Sequence, residues 1–108
     1  MRRRALVLTG AMLIAYGLSH AARAENASVT IDNFTFSPQL LTVPAGTKGT
    51  WTNRDDIPHT VTDAGTAISF RSPPLDTGDT FSHVFSSAGT YRYFCSLHPH
   101  MQGTVVVK

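Results

Sequence analysis

Thr90-Tyr91-Arg92-Tyr93-Phe94-Cys95-Ser96-Leu97-His98-Pro99-His100-Met101-Gln102-Gly103 is the stretch that decides the fold class. Its first six residues alternate. Tyr91, Tyr93 and Cys95 fall on one face and Thr90, Arg92 and Phe94 on the other, which is the period-2 pattern of a β-strand. Cys95 therefore points the way two aromatic rings point. Beyond it, Pro99 stiffens a short loop and Gly103 releases the chain into a further extended run, Thr104 to Lys108.

Working outward, the same reading gives strands at Ser28 to Asn33, Gln39 to Val43, Thr47 to Asn53, His59 to Thr62 and Thr80 to Ser86. Turn and strand-ending residues separate them: Pro38, Pro44-Ala45-Gly46, Arg54-Asp55-Asp56 and Ser87-Ala88-Gly89. No segment sustains a helical period over the length a helix needs. Short strands at this spacing predict an all-β chain of about seven to eight strands, two antiparallel sheets packed as a Greek-key β-sandwich. The stretch Asp63 to Asp79, with Pro73-Pro74 and few strand signals, is expected to be a long connection carrying at most a short edge strand. There are no internal repeats.

The chain begins with Met1 and the basic run Arg2, Arg3, Arg4, continues through an apolar stretch to Leu18 and reaches Ala22-Arg23-Ala24. That order of basic, apolar and small residues is a secretory signal peptide. Residues 1–24 are expected to be removed, leaving residues 25–108 as one small domain with a modest core and no membrane anchor. Four of the nine basic residues fall in the signal segment, so five remain against seven acidic ones. The basic character of the precursor thus says nothing about the mature domain, and no basic patch is left for a nucleic acid.

An exported chain with a single Cys, Cys95, needs an explanation, because small exported domains usually use Cys in pairs. A chance buried thiol, an intermolecular disulfide and a metal ligand are the three available. The neighbours favour the third. Cys95, His98 and Met101 recur at i, i+3 and i+6 directly after a strand, and His59, after Pro58 in a turn between two strands, can be brought to the same end of a sandwich. Thiolate and thioether suit Cu(I), imidazole suits Cu(II), and a His2Cys set with a weak Met marks an electron-transfer copper site. Structural zinc would show more Cys and no Met. Met101 is the only Met after the signal segment. Nothing resembles a nucleophile with its base, a phosphate loop or a carboxylate pair held for acid–base work, so no enzyme is expected.

The chain resembles the plastocyanin/azurin family of cupredoxins, and its short Cys-x2-His-x2-Met loop is most similar to the amicyanin branch. The matching pieces are Ile31-Asp32-Asn33-Phe34-Thr35-Phe36-Ser37-Pro38, Val43-Pro44-Ala45-Gly46-Thr47, Trp51-Thr52-Asn53 leading to Pro58-His59-Thr60-Val61, Ala88-Gly89-Thr90-Tyr91, and the Cys loop running into Gly103-Thr104-Val105-Val106-Val107. The resemblance implies one type 1 (blue) copper held by His59, Cys95, His98 and Met101. It also implies a monomeric periplasmic carrier that passes single electrons between a donor and an acceptor protein through weak, transient contacts. Copper delivery in metal homeostasis is the alternative the donor set leaves open.

Three departures from the family carry expectations. Leu97 replaces a common Pro, so its N–H is free to donate to the Cys95 sulfur and raise the reduction potential. Thr60 replaces Asn and, being shorter, is expected to tie the two donor-bearing loops less firmly through Ser96. Gly49 replaces a branched apolar residue and is expected to weaken packing. Elsewhere, Trp51, Phe34, Phe36, Phe70, Phe81, Phe85, Tyr91 and Tyr93 are expected to fill the core. His83, in register with Phe81 and Phe85, reads as structural, His100 as facing solvent, and Asp55 and Asp56 as a solvated turn.

Overall fold

A computed structural model describes residues 25–108; the predicted signal peptide, residues 1–24, lies outside the described residues. Eight strands follow in chain order: β1 (Asn26–Asp32), β2 (Thr35–Ser37), β3 (Leu40–Val43), β4 (Thr47–Asn53), β5 (Thr62–Asp63), β6 (Thr80–Phe85), β7 (Gly89–Cys95) and β8 (His98–Val107). They form two four-stranded sheets, ordered β2-β1-β4-β6 and β3-β8-β7-β5. The all-β sandwich is as the sequence predicts, but the sheets are mixed. β1 pairs with β4 and β3 with β8 in parallel, while the remaining pairs are antiparallel. The reason is a crossing: after the β1–β2 hairpin the chain passes to the other sheet as β3 and returns beside β1 in the same direction as β4.

Alternation places the core. Thr47, Gly49, Trp51 and Asn53 of β4 face inward, as do Met101, Gly103, Val105 and Val107 of β8. Trp51 stands at the centre, edge-on to Tyr93 with ring centroids 5.3 Å apart and within 6.2 Å of Phe70 and Phe85. The lost packing expected at Gly49 does not occur. A methyl group there would lie 3.2 Å from both Phe85 and Trp51, so the aromatic rings already occupy that space. Phe36, Phe70, Phe85 and Tyr93 are buried, and Phe81 and Tyr91 pack partly buried against them. His83 packs against both Phe70, tilted at 4.9 Å, and Phe85, edge-on at 4.8 Å, as a structural residue would. Phe34 departs from expectation: it is 48% exposed and lies outside the core.

Two further differences concern strand limits. The predicted strand His59 to Thr62 is reduced to Thr62–Asp63, because residues 59–62 bond mainly to the connection that follows them. The amides of His59 and Leu75 each donate to the other's carbonyl, Ser72 N–H donates to Val61 O, and Asp63 N–H to Phe70 O. The connection is therefore laced to the donor-bearing loop by isolated bridges at His59–Leu75 and Thr62–Arg71, without forming a strand. Conversely, β8 starts at His98 and not at Thr104. Ser96 and Leu97 close a tight turn, and the register then jumps from Cys95–His98 to Phe94–Gln102, leaving Pro99, His100 and Met101 as a bulge with no partner in β7.

Candidate metal centre

His59, Cys95 and His98 converge although 36 residues separate the first two. Their candidate donor atoms all lie within 4.8 Å of one another. The Cys95 sulfur is 3.7 Å from Nδ1 of His59 and 3.6 Å from Nδ1 of His98. His59 and Cys95 are fully buried, whereas His98 is half-buried. Met101 is buried in the bulge three residues after His98, the remaining soft donor of the set. His100, between them in sequence, faces solvent as expected.

His59 and Cys95 are each fixed by identifiable neighbours. The backbone of His59 is pinned on both sides by Leu75. Its Nε2 lies 2.7 Å from Oδ2 of Asp55. That carboxylate also accepts the amides of Asn33 at 2.7 Å and Phe34 at 2.9 Å. Asp55 is thus no solvated turn residue. The Phe34 amide does most to hold its carboxyl below the ordinary carboxylate range, helped by the His59 ring and the Asn33 amide and opposed by burial. An ionised carboxylate only accepts, so Nε2 of His59 donates to it and Nδ1 is the nitrogen left facing Cys95. The loop between is shaped by Asn53, whose buried side chain donates to Ile57 O and Leu75 O and accepts from the Asp55 amide.

The tie between the two donor-bearing segments is stronger than Thr60 suggests in sequence. Its hydroxyl lies 2.8 Å from Ser96 Oγ and accepts the Ser96 amide at 2.7 Å. The shorter side chain succeeds because β5 and β7 hold the two turns close together. Among the described residues, the Cys95 sulfur takes its hydrogen bonds from Thr60, through the amide at 3.2 Å and more weakly the hydroxyl at 3.8 Å. Leu97, expected as a donor, is not one; it sits in the tight turn with its side chain 49% exposed.

The donor chemistry fits a copper ion. One thiol and two imidazoles converge, a buried thioether lies in the adjoining bulge, and the nitrogen of His59 that Asp55 does not occupy faces the sulfur. The family model described as "Cupredoxin-like domain" matches residues 5–107. This chain is a cupredoxin. The amicyanin-alpha of Methylorubrum extorquens is 36% identical to it over 90 residues, spanning 81% of this chain and 76% of that protein. The chloroplastic plastocyanin of Tetradesmus obliquus is 29% identical, spanning 98% of this chain and 82% of that one. A solved structure of a purple cupredoxin from Nitrosopumilus maritimus superposes with a TM-score of 0.72 and 40% identity, covering 76% of this chain and 99% of that one. In this cupredoxin His59, Cys95 and His98 are arranged as in a type 1 copper site.

Asp55, Asn53 and Phe34 were the parts of the site that sequence reasoning missed. For Asp55 a signal existed, since a metal-bound His needs a partner for its second nitrogen and Asp55 is a nearby acid, four residues before His59.

Proposed function

We propose that this cupredoxin is a periplasmic one-electron carrier in which His59, Cys95, His98 and Met101 hold a single copper. When bound, that copper supplies a Cu(II)/Cu(I) couple. The chain supplies rigidity and a surface exit. Asp55 fixes His59, Thr60 fixes both Cys95 and the Ser96 turn, and the Leu75 bridge fixes the loop, so little of the protein has to move when the charge changes.

The observation that carries the proposal is the asymmetry of burial. His59 and Cys95 are sealed, while His98 is only half-buried, with the exposed Phe34 ring packed against its own and the exposed Leu97 beside it in the chain. That makes a small apolar face with one donor at its centre, suited to brief contact with a donor and then an acceptor protein. We take the working form to be a monomer of residues 25–108, freed of its signal peptide.

Adding Cu(II) to residues 25–108 and recording the visible spectrum tests this, with Cys95→Ser alongside. An intense charge-transfer band that the variant lacks, together with a reversible one-electron couple, supports the carrier. A colourless complex would overturn it, and rapid loss of copper to an acceptor apoprotein without electron exchange would favour delivery.

A further inference from the structure

We propose that Phe34 is a positioning residue: a strut that holds the surface donor His98 in its metal-ready orientation and is locked to the buried donor His59 through Asp55. The inference rests on the assignment of His59 and His98 as copper ligands made above.

The argument starts from the β1–β2 turn. Asp32 pairs with Thr35, so Asn33 and Phe34 form a two-residue hairpin loop, and both have left-handed backbones, φ 52° and 59°. Such turns favour Asn followed by Gly, because the second position disfavours a bulky side chain. Here an aromatic residue occupies the glycine position. Its ring is not drawn there by the core, since it remains 48% exposed. The turn is held instead by the Asp55 carboxylate, which accepts both of its amides.

That arrangement aims the Phe34 ring at the two imidazoles. Phe34 meets His98 edge-to-face, with centroids 5.1 Å apart and planes at 89°, and meets His59 likewise at 5.5 Å and 87°. The two imidazoles are themselves 5.0 Å apart. The three rings close a triangle whose outer corner is Phe34.

The two imidazoles differ in their other support. A ligating His normally has its second nitrogen held by a carboxylate or carbonyl. Asp55 does this for His59. Among the described residues no protein group bonds the second nitrogen of His98; its one polar contact is the Cys95 sulfur. The Phe34 ring takes the place of the missing hydrogen bond, by shape and edge-to-face attraction. Because the same carboxylate grips His59 and the turn that carries Phe34, the spacing of the two imidazoles is set by one group.

Phe34→Gly is the informative variant, because glycine suits the turn and removes only the ring. Phe34→Tyr keeps the ring. Imidazole NMR signals of the metal-free proteins and the rate at which bathocuproine disulfonate strips Cu(I) from the loaded ones are the readouts. We expect Phe34→Gly to lose the cross-relaxation between the His98 and His59 rings, to keep the Asp55-bound His59 signal, and to release copper roughly tenfold faster or more. Phe34→Tyr should match the wild type in both. Wild-type His98 signals and release rate in Phe34→Gly would overturn the proposal and leave Phe34 as a surface residue only. Disturbed His59 signals that Tyr fails to restore would also overturn it. A wild-type chain that takes up no copper would sink the ligand assignment instead, while the metal-free ring signals still decide the strut.

Discussion

The amide of Thr60 lies 3.2 Å from the Cys95 sulfur while its hydroxyl accepts the Ser96 amide at 2.7 Å, so one residue spans both turns of the site. Thr60→Ala keeps the backbone donor and removes the hydroxyl. It strips the Ser96 amide of its acceptor and the sulfur of its weaker donor. Stability should fall by about 1–3 kcal/mol, the usual cost of a partly buried amide left without its partner. The reduction potential should also fall, because a hydrogen bond to the thiolate draws charge from it and favours the reduced state. Chemical denaturation and voltammetry read the two effects; Thr60→Ser should restore both.

Asp55 offers a sharper test, because its two oxygens accept three hydrogen bonds. Asp55→Asn has the same shape but replaces one acceptor with a donor, so at least one of the Asn33, Phe34 and His59 N–H groups must face another N–H. Copper affinity should drop roughly 10- to 100-fold, the range typical of losing the group that orients a metal-bound His. Competition with a copper chelator measures it. An unchanged affinity would show that Leu75 alone suffices to orient His59.

Most of the sandwich was legible from strand alternation and turn residues, and the grouping of His59 with Cys95 and His98 from two donors three residues apart and a His in a turn that the sandwich brings to the same end. What escaped depended on contacts made across the fold. Parallel β1–β4 pairing follows from a crossing between sheets that no short window of sequence records. The Asp55 contacts with Asn33 and Phe34 bridge 22 and 21 residues, so its spacing to His59 hints at one partner and at neither of the others. Phe34 looks like any core aromatic until the hairpin places it at the glycine position of the turn. Thr60 looks too short in sequence because no local pattern records how close Ser96 stands to it.

Gly103 and Tyr93 face each other across the β7–β8 ladder, and the ring lies over the glycine. A methyl group at 103 would stand 2.4 Å from the Tyr93 ring end and hydroxyl. Tyr93 has no easy retreat, being enclosed by Phe36, Trp51 and Phe70. Burial also pushes its hydroxyl up to about 12, so ionisation does not drive it toward solvent at neutral pH. Gly103→Ala should therefore cost at least about 1–3 kcal/mol by overpacking. Gly49→Ala, whose nearest contacts are 3.2 Å, should cost less. Thermal unfolding of the pair checks the order, and a Gly103→Ala variant as stable as wild type would show that the Tyr93 ring moves freely.

His83 supplies a pH dependence independent of the copper donors. Burial against Phe70 and Phe85 lowers its proton affinity, and the charge of Asp63 only partly offsets this. Folded His83 thus binds its proton less readily than unfolded His83, whose value is about 6.5. Below that pH the unfolded chain takes up the proton first. The stability His83 contributes is present above about pH 6.5 and is lost as the pH falls through the lower folded value. His83→Phe keeps a ring between Phe70 and Phe85 and removes the titration. Comparing denaturation midpoints of the two metal-free proteins from neutral pH down toward 5 isolates the effect, because the copper donors are common to both and cancel. The wild type should lose stability faster than the variant over that window; parallel curves would mean that His83 swings into solvent on protonation and senses no burial.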